Sequence, residues 1–236
     1  MILQAALATF LTLMSLGYLI IPNSPQIVGK AIRRVHTKEK VVALTFDDGP
    51  NPPRTNELLE VLKKHEIKAT FFVLGKYIQN YPDIVKQIYN DGHEIGNHSW
   101  SHNYMVFKSC NTIRKEITST DTAIRDLGYT GVIYFRAPHG GKLINLPMVL
   151  SQQNRIHILF NVIAWDWTCP GVEKIVNNVM KSIKPGSIIL LHDGDGAKDK
   201  ADRSQTVKAT DIIIQKLKEQ NYKIVTISEL LKFDSK

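Results

Sequence analysis

The fold of this protein can be worked out from the stretch Val41-Val42-Ala43-Leu44-Thr45-Phe46-Asp47-Asp48-Gly49-Pro50. Its apolar start does not alternate with polar residues, a pattern typical of a strand buried in a parallel sheet. Two adjacent carboxylates, Asp47 and Asp48, follow where that strand ends. The Gly- and Pro-rich residues 49–53 interrupt the chain, so both carboxylates are predicted at the rim of a sheet. Either one carboxylate binds a cation while the other stays free to move protons, or the two form a solvated acidic turn.

The rest of the chain repeats the order of strand and then helix. Strands are predicted at Val41–Phe46, Ala69–Leu74, Glu94–Ile95, Val132–Phe135, Ile158–Ala164, Ser187–Leu191 and Lys223–Thr226. Helices are predicted at Thr55–His65, Pro82–Tyr89, Asn111–Leu127, from Pro147, at Glu173–Ile183 and at Thr206–Gln220. This alternation predicts one α/β domain with a parallel sheet, either doubly wound or closed into a barrel. No G-x-G-x-x-G or P-loop motif is present, which argues against a nucleotide-binding open sheet.

Composition and charge narrow the classes of partner. The chain of 236 residues has 43% hydrophobic and 22% charged residues, which are ordinary globular values. Its net charge of +8 suits an anionic partner such as a cell-wall polymer or a membrane surface. No basic stripe is interleaved with aromatics, so no nucleic-acid partner is expected, and no protein partner is indicated. Cys110 and Cys169 have no C-x-x-C spacing, which excludes a zinc ribbon, and their pairing stays open.

The N-terminal segment, residues 1–22, carries no charged side chain and approaches the length that crosses a bilayer. We predict a signal peptide or membrane anchor at 1–22, a linker at 23–37 and the folded domain at 38–234. The absence of a small-x-small cleavage site favours an uncleaved anchor. Basic residues follow the segment and none precedes it, which under the positive-inside rule would keep the domain in the cytoplasm.

Polar residues collect at the predicted carboxyl ends of the strands, where active sites of barrels and open α/β sheets are built. His98-Ser99-Trp100-Ser101-His102 places two imidazoles on one face of a predicted helical turn. Such a pair is either an ordinary surface feature or a metal site. With Asp48 it offers two nitrogens and one oxygen, which leave a tetrahedral Zn²⁺ one open position for water.

Further residues at these strand ends have both a structural and a functional interpretation. Arg136 either pairs with any surface carboxylate or holds Asp47 ionised and oriented. His192 is either a structural histidine or a catalyst. Trp165-Asp166-Trp167 forms either core aromatics around a buried acid or one wall of a sugar-binding groove.

Several motifs, in their order and spacing, resemble those of the polysaccharide deacetylases, the NodB-homology domains of carbohydrate esterase family four. They are T-F-D-D-G-P at 45–50, H-S-x-x-H at 98–102, R-x-P-x-G at 136–140, D-W at 166–167 and L-H-D-G at 191–194. The resemblance covers nearly everything after the N-terminal segment. It implies a distorted (β/α) barrel of about seven parallel strands, and metal-dependent hydrolysis of N-acetyl groups on chitin-like sugars or peptidoglycan.

The resemblance also implies a role for each matching residue. Asp48, His98 and His102 would bind one divalent metal ion, usually Zn²⁺, with Co²⁺ or another divalent ion as alternatives. Asp47 would be the general base and His192 the general acid. The other implied roles are orientation of Asp47 by Arg136, an oxyanion contact from the backbone N–H of His139 and an acetyl-methyl pocket at Leu190. Asp166 and Trp167 of the D-W motif remain the candidates for a further catalytic residue and for a wall of the groove.

Two positions depart from the family pattern. His139 stands where an aromatic residue, often Tyr, is usual. The oxyanion contact comes from the backbone and should survive, but the resemblance does not predict the groove wall or the substrate preference. Ile163 stands where an extra Asp often pairs with the catalytic histidine, which leaves the tuning of His192 to Asp166 or to nothing.

Three hypotheses of function remain. The first is an N-deacetylase of a β-1,4-linked N-acetylhexosamine polymer, peptidoglycan first and chitin oligomers second. The second is an esterase that removes O-acetyl groups from a polysaccharide such as xylan, and the third is a catalytically silent, membrane-anchored wall-binding module. Because these substrates lie beyond the membrane, we expect an extracellular domain, anchored by its N-terminal segment or secreted after cleavage, despite the basic flank.

Overall fold

The protein is described by a computed structural model that covers residues 31–141 and 144–235. The strands are β1 (Ala31–Ile32), β2 (Val41–Asp47), β3 (Thr70–Val73), β4 (Glu94–Asn97), β5 (His157–Ile158), β6 (Val162–Ile163), β7 (Ile188–His192) and β8 (Lys223–Val225). The helices are α1 (Arg54–Lys64), α2 (Gly75–Asn80), α3 (Pro82–Asn90), α4 (Cys110–Asp126), α5 (Asn145–Gln152), α6 (Val172–Met180), α7 (Ser204–Glu219) and α8 (Ile227–Leu231). Short 3₁₀ turns form at Pro138–Gly140 and Asp166–Thr168.

Strand β2 is the centre of the sheet and is buried along its whole length, as its apolar sequence predicts. The strand order is β4-β3-β2-β7-β6, and β8 pairs with the beginning of β2. These pairings are all parallel. The prediction of an α/β fold with a parallel sheet is therefore confirmed.

The sheet curves toward closure around a packed interior. Phe135 bridges Asn97 of β4 and His157 of β5, while β6, a few residues after β5, pairs with β7. Alternate residues of β2 point to opposite sides, since Val41 and Ala43 pack in the interior with Phe72 and Ile188. The neighbouring residues Val42, Leu44 and Phe46 pack against the surrounding helices. The result is a barrel-like arrangement of strands.

Two predicted strands differ from the structure. Val132–Phe135 is reduced to isolated bridges at Phe135, and Ile158–Ala164 is divided into β5 and β6. The division has a physical reason, because the carbonyl oxygens of Ile158 and Leu159 accept hydrogen bonds at 3.3 Å from the side chain of Arg136. Both carbonyl oxygens are therefore taken by the guanidinium, although the N–H groups of Ile158 and Leu159 still bond the carbonyls of Phe135 and Ile32. Helices α2 and α8 are present in the structure but were not predicted.

The first part of the chain, residues 1–30, lies outside the described residues, and so do the predicted anchor and most of the predicted linker. Within the predicted linker, β1 pairs with β5 and Val35 is fully buried, so packing begins by residue 31. Across residues 31–141 and 144–235, no helix is long and apolar enough to span a bilayer.

Candidate active site

The carboxyl end of β2 places the two adjacent aspartates. Asp47 is the last residue of β2, and its backbone carbonyl accepts hydrogen bonds from the N–H groups of Asp193 and Gly194. Asp48 then takes a left-handed backbone with φ of 75°. A Cβ on Gly194 would lie 2.1 Å from the Asp48 carbonyl oxygen, so only glycine allows this close approach. Both carboxylates are buried.

The two histidines reach the same place from a loop and not from a helical turn, so that part of the prediction is wrong. Ser99 and His102 have left-handed backbones with φ of 72° and 63°. Local hydrogen bonds replace those of a helix: Asn97 Oδ1 accepts from Ser99 N at 2.7 Å, and Ser99 Oγ accepts from His102 N at 3.1 Å. The imidazoles of His98 and His102 still converge, with ring centroids 5.2 Å apart.

Asp48, His98 and His102 form a cluster whose ligand atoms all lie within 4.8 Å of one another. Asp48 Oδ1 lies 3.0 Å from His102 Nε2 and 3.4 Å from His98 Nε2. This oxygen is buried and has no hydrogen-bond partner. Burial alone would raise the pKa of Asp48, but His102 and His98 lower it well below its usual value.

The donor set of this cluster fits a divalent cation. His98 Nδ1 donates to the backbone carbonyl of Arg136 at 2.8 Å, which leaves the lone pair of Nε2 directed at the cluster. An unpartnered carboxylate oxygen beside two imidazole nitrogens gives three ligands and an open position, the donor set of catalytic zinc sites. The structure thus contains a group of residues that could bind a metal ion.

Asp47 is held by Arg136 from inside the barrel. Arg136 Nη1 donates to Asp47 Oδ1 at 2.6 Å and to Thr45 Oγ1 at 2.8 Å. The guanidinium is fully buried and lies 3.9 Å from the centroid of the Phe72 ring. Burial lowers the pKa of Arg136, and the charge of Asp47 acts in the opposite direction. Asp47 Oδ2 stays free of the guanidinium and lies 3.6 Å from His98 Nε2.

His192, at the end of β7, is paired with Asp166. His192 Nδ1 donates to Asp166 Oδ1 at 2.9 Å, and His192 N donates to Asp166 Oδ2 at 2.8 Å. Burial would lower the pKa of His192, but Asp166 and the more distant Asp48 and Asp47 raise it to about 9. The sequence left the tuning of His192 to Asp166 or to nothing, and the structure brings Asp166 to it.

All predicted site residues meet at one cleft of about 420 Å³. Arg136 and Asp166 lie behind its wall, each in contact with a residue of the cleft. Trp167 meets the His192 ring edge-on at 5.0 Å, and Leu190 forms an apolar patch of the floor. His139 has a left-handed backbone with φ of 56°. The residues that line the cleft include Asp47, Asp48, His98, His102, His139, Trp167, Leu190 and His192.

Sequence reasoning missed several residues around the cleft. A Cβ on Gly196 would lie 1.8 Å from His102 Nδ1, so the loop after β7 packs directly on that imidazole. Lys76 Nζ donates to the Gly196 carbonyl at 2.6 Å and fixes this loop. Thr206, on α7, donates to Asp166 Oδ2 at 2.9 Å. The G-x-G spacing at 194–196 was the one available signal, since the other contacts depend on long-range packing.

Comparison with known proteins agrees with this geometry. The family model described as polysaccharide deacetylase matches residues 34–154. A peptidoglycan-N-acetylglucosamine deacetylase of Bacillus cereus is 38% identical over 206 residues, which cover 84% of this chain and 92% of the relative. A chitooligosaccharide deacetylase of a Bradyrhizobium species is 34% identical over 196 residues, which cover 80% of this chain and 90% of the relative.

Solved structures agree as well. A peptidoglycan N-acetylglucosamine deacetylase matches with a TM-score of 0.80 and 34% identity, covering 86% of this chain and 92% of that one. A CE4 family pseudoenzyme from Bacillus anthracis matches with a TM-score of 0.79 and 32% identity, covering 88% of this chain and 73% of that one. Because a pseudoenzyme shares the fold, the fold alone does not make this chain a catalyst, and its site residues decide that.

The chain therefore belongs to the polysaccharide deacetylase family, as its motifs predicted. The predicted enzyme class, a polysaccharide N-deacetylase of carbohydrate esterase family four, is confirmed. Deacetylases of this family are metal-dependent in general, and the Asp48, His98 and His102 cluster could hold the ion.

Proposed function

We propose that this protein is a metal-dependent hydrolase that removes N-acetyl groups from N-acetylhexosamine polymers, peptidoglycan first and chitin-like oligomers second. The observation that carries the proposal is the arrangement of three groups around one cleft. A cluster of possible metal ligands lines the same cleft as an aspartate fixed by a buried arginine and a histidine fixed by a buried aspartate. Peptidoglycan is proposed as the first substrate because the Bacillus cereus relative is a peptidoglycan-N-acetylglucosamine deacetylase.

A divalent cation, Zn²⁺ in the first place and Co²⁺ or another divalent ion as alternatives, would be held by Asp48, His98 and His102. When bound, it supplies a Lewis acid that lowers the pKa of water and polarises the acetamide carbonyl. The fit rests on the unpartnered Oδ1 of Asp48 and on the tautomer that the Arg136 carbonyl sets at His98.

Asp47 acts as the general base. Its Oδ1 is held by Arg136, so Oδ2 is the oxygen left to take a proton in the cleft. It takes that proton from water as the water oxygen attacks the acetamide carbon. The backbone N–H of His139 donates to the oxyanion that forms, and Leu190 packs against the acetyl methyl group.

His192 acts as the general acid. Its Nδ1–H is donated to Asp166, so the proton that it transfers is on Nε2. The raised pKa of about 9 keeps the imidazole protonated at neutral pH. As the C–N bond breaks, His192 gives this proton to the departing nitrogen, and acetate and a free amine leave. Trp167, beside His192, forms a wall for the sugar ring.

Product identification tests this function. The full chain is incubated with N-acetylglucosamine oligomers and with peptidoglycan, with chelator and after Zn²⁺ is restored. We expect release of amine and acetate that chelator abolishes and Zn²⁺ recovers. Acetate released from acetylated xylan without amine from either glycan would instead indicate an O-acetyl esterase, and glycan binding without either product would indicate a silent binding module.

We also propose that the domain lies outside the membrane, where these polymers are. Residues 1–22 would be the anchor, or a signal peptide if they are cleaved. Protease added to intact cells is expected to clip the domain. Protection in intact cells, with clipping after lysis, would place the domain inside, as the basic flank predicts.

A further inference from the structure

An exposed aromatic pair lies at the rim of the cleft, on the side of the metal cluster. The ring of Tyr104 stacks on that of His139 with centroids 3.7 Å apart and planes 14° apart. His139 in turn meets His102 with centroids 4.5 Å apart and planes at 60°. Tyr104 is 62% exposed, so the face turned away from His139 is open to solvent. The pair therefore extends an aromatic surface outward from the reacting centre.

The position of Tyr104 is fixed although its side chain is exposed. The next residues, Met105 and Val106, are buried at 2% and 6% exposure. Val106 packs so closely on Gly141 that a Cβ there would lie 2.8 Å from Val106 Cγ2. A rigid, flat and open aromatic face loses little conformational entropy when a ligand stacks on it.

The cleft has a second aromatic surface, beside His192. Trp167 packs edge-on against His192, and Trp165 lies 4.9 Å from Trp167 between ring centroids. These tryptophans are 37% and 48% exposed. The reacting centre thus has one open aromatic surface beside the general acid and another beside the metal ligands.

We propose that Tyr104, seated on His139, is a binding platform for a pyranose ring next to the one that is deacetylated, on the metal-ligand side of the cleft. The inference rests on the proposed function and extends it. An apolar pyranose face would stack on the open face of Tyr104 while the N-acetylated ring occupies the centre. Tyr104 is then a specificity residue that makes the enzyme favour oligomers over single sugars.

The test compares substrates of increasing length. Rates with the full Zn²⁺-loaded chain are measured on di-, tri- and tetra-N-acetylchitooligosaccharides and on a small aryl acetate that contains no sugar. For Tyr104→Leu, which keeps apolar bulk without a flat face, we expect kcat/KM for the tetramer to fall about tenfold relative to that for the aryl acetate. Tyr104→Phe is expected to keep the wild-type ratio. Phe107→Ala, on the same loop and 79% exposed, is the control and should leave all rates unchanged.

Two results would overturn the proposal that Tyr104 is a binding platform for a sugar ring. An equal loss on every substrate, including the aryl acetate, would mean that Tyr104 only supports His139 and the oxyanion contact. No loss on the tetramer would mean that no sugar stacks there. If the wild-type chain releases no amine at all, the proposed function fails separately, and calorimetric binding of the tetramer then decides the platform: equal affinity for wild type and Tyr104→Leu would refute it.

Discussion

Replacement of Asp47 by asparagine is expected to lower kcat for amine release by about 10²–10⁴-fold, the usual contribution of a general base. The carboxamide oxygen can still accept the hydrogen bond of Arg136 Nη1, so the side chain stays in place. It cannot take a proton from water at neutral pH. The measurement is steady-state release of amine from peptidoglycan and from an N-acetylglucosamine tetramer.

Two controls distinguish the loss of the general base from damage to the rest of the active site. Zn²⁺ affinity, measured by competition with a chromophoric chelator, should change far less than kcat, because Asp47 is not among the three ligands of the cluster. Asp195→Asn changes another carboxylate of the same cleft, one that pairs with Arg203 and has no proposed catalytic role. Its kcat should stay within about threefold of wild type. An Asp47→Asn enzyme with wild-type kcat would exclude Asp47 as the base.

The parts of this fold that the sequence could predict are those set by local chemistry. The apolar run of β2 and the break after Asp48 were sufficient to place two carboxylates at the rim of a parallel sheet. The alternation of strands and helices predicted the ends of β3, β4 and β7 closely, and the fold class predicted that the active site lies at the carboxyl ends of the strands. The central helices were predicted closely, as α4 shows, with Cys110–Asp126 observed and Asn111–Leu127 predicted.

The parts that escaped prediction depend on contacts between distant segments. The loop from His98 to His102 was predicted as helical because its spacing fits a helix, but Asn97 and Ser99 side chains replace the helical hydrogen bonds. The pairing of Asp166 with His192 needs a 3₁₀ turn between left-handed residues Trp165 and Cys169. Neither residue type predicts such a backbone, so the sequence could offer Asp166 only as one of two alternatives for the tuning of His192.

The predicted strand Ile158–Ala164 is divided for the same kind of reason, a contact with a residue distant in sequence. That residue is Arg136. A fully buried guanidinium needs acceptors for its donors and a charge to balance its own. Thr45, Asp47 and the carbonyls of Ile158 and Leu159 provide them. The Arg136 contacts thus join β2 to the segment that nearly closes the barrel, and the residue that orients the base also stabilises the fold.

Arg136→Met is therefore expected to lower the free energy of unfolding by about 3–5 kcal/mol, because it leaves the buried carboxylate of Asp47 without its partner. The measurement is urea unfolding of the full chain with chelator present, so that a bound cation cannot compensate the charge. Met fills much of the volume of the arginine stem, which limits the contribution of a cavity to the loss. A variant as stable as wild type would show that the buried pair contributes nothing to the fold.

A double-mutant cycle separates the charge pair from the lost packing. Asp47→Asn alone leaves the guanidinium buried without a counter-charge, whereas the double variant contains neither charge. We therefore expect the double variant to be more stable than the sum of the single losses predicts, by about 0.5–3 kcal/mol. It should remain less stable than wild type, since the Ile158 and Leu159 carbonyls lose their donor in both Arg136 variants. Strict additivity would mean that Arg136 supports the barrel through its other partners, Thr45 and these carbonyls, and does not act through Asp47.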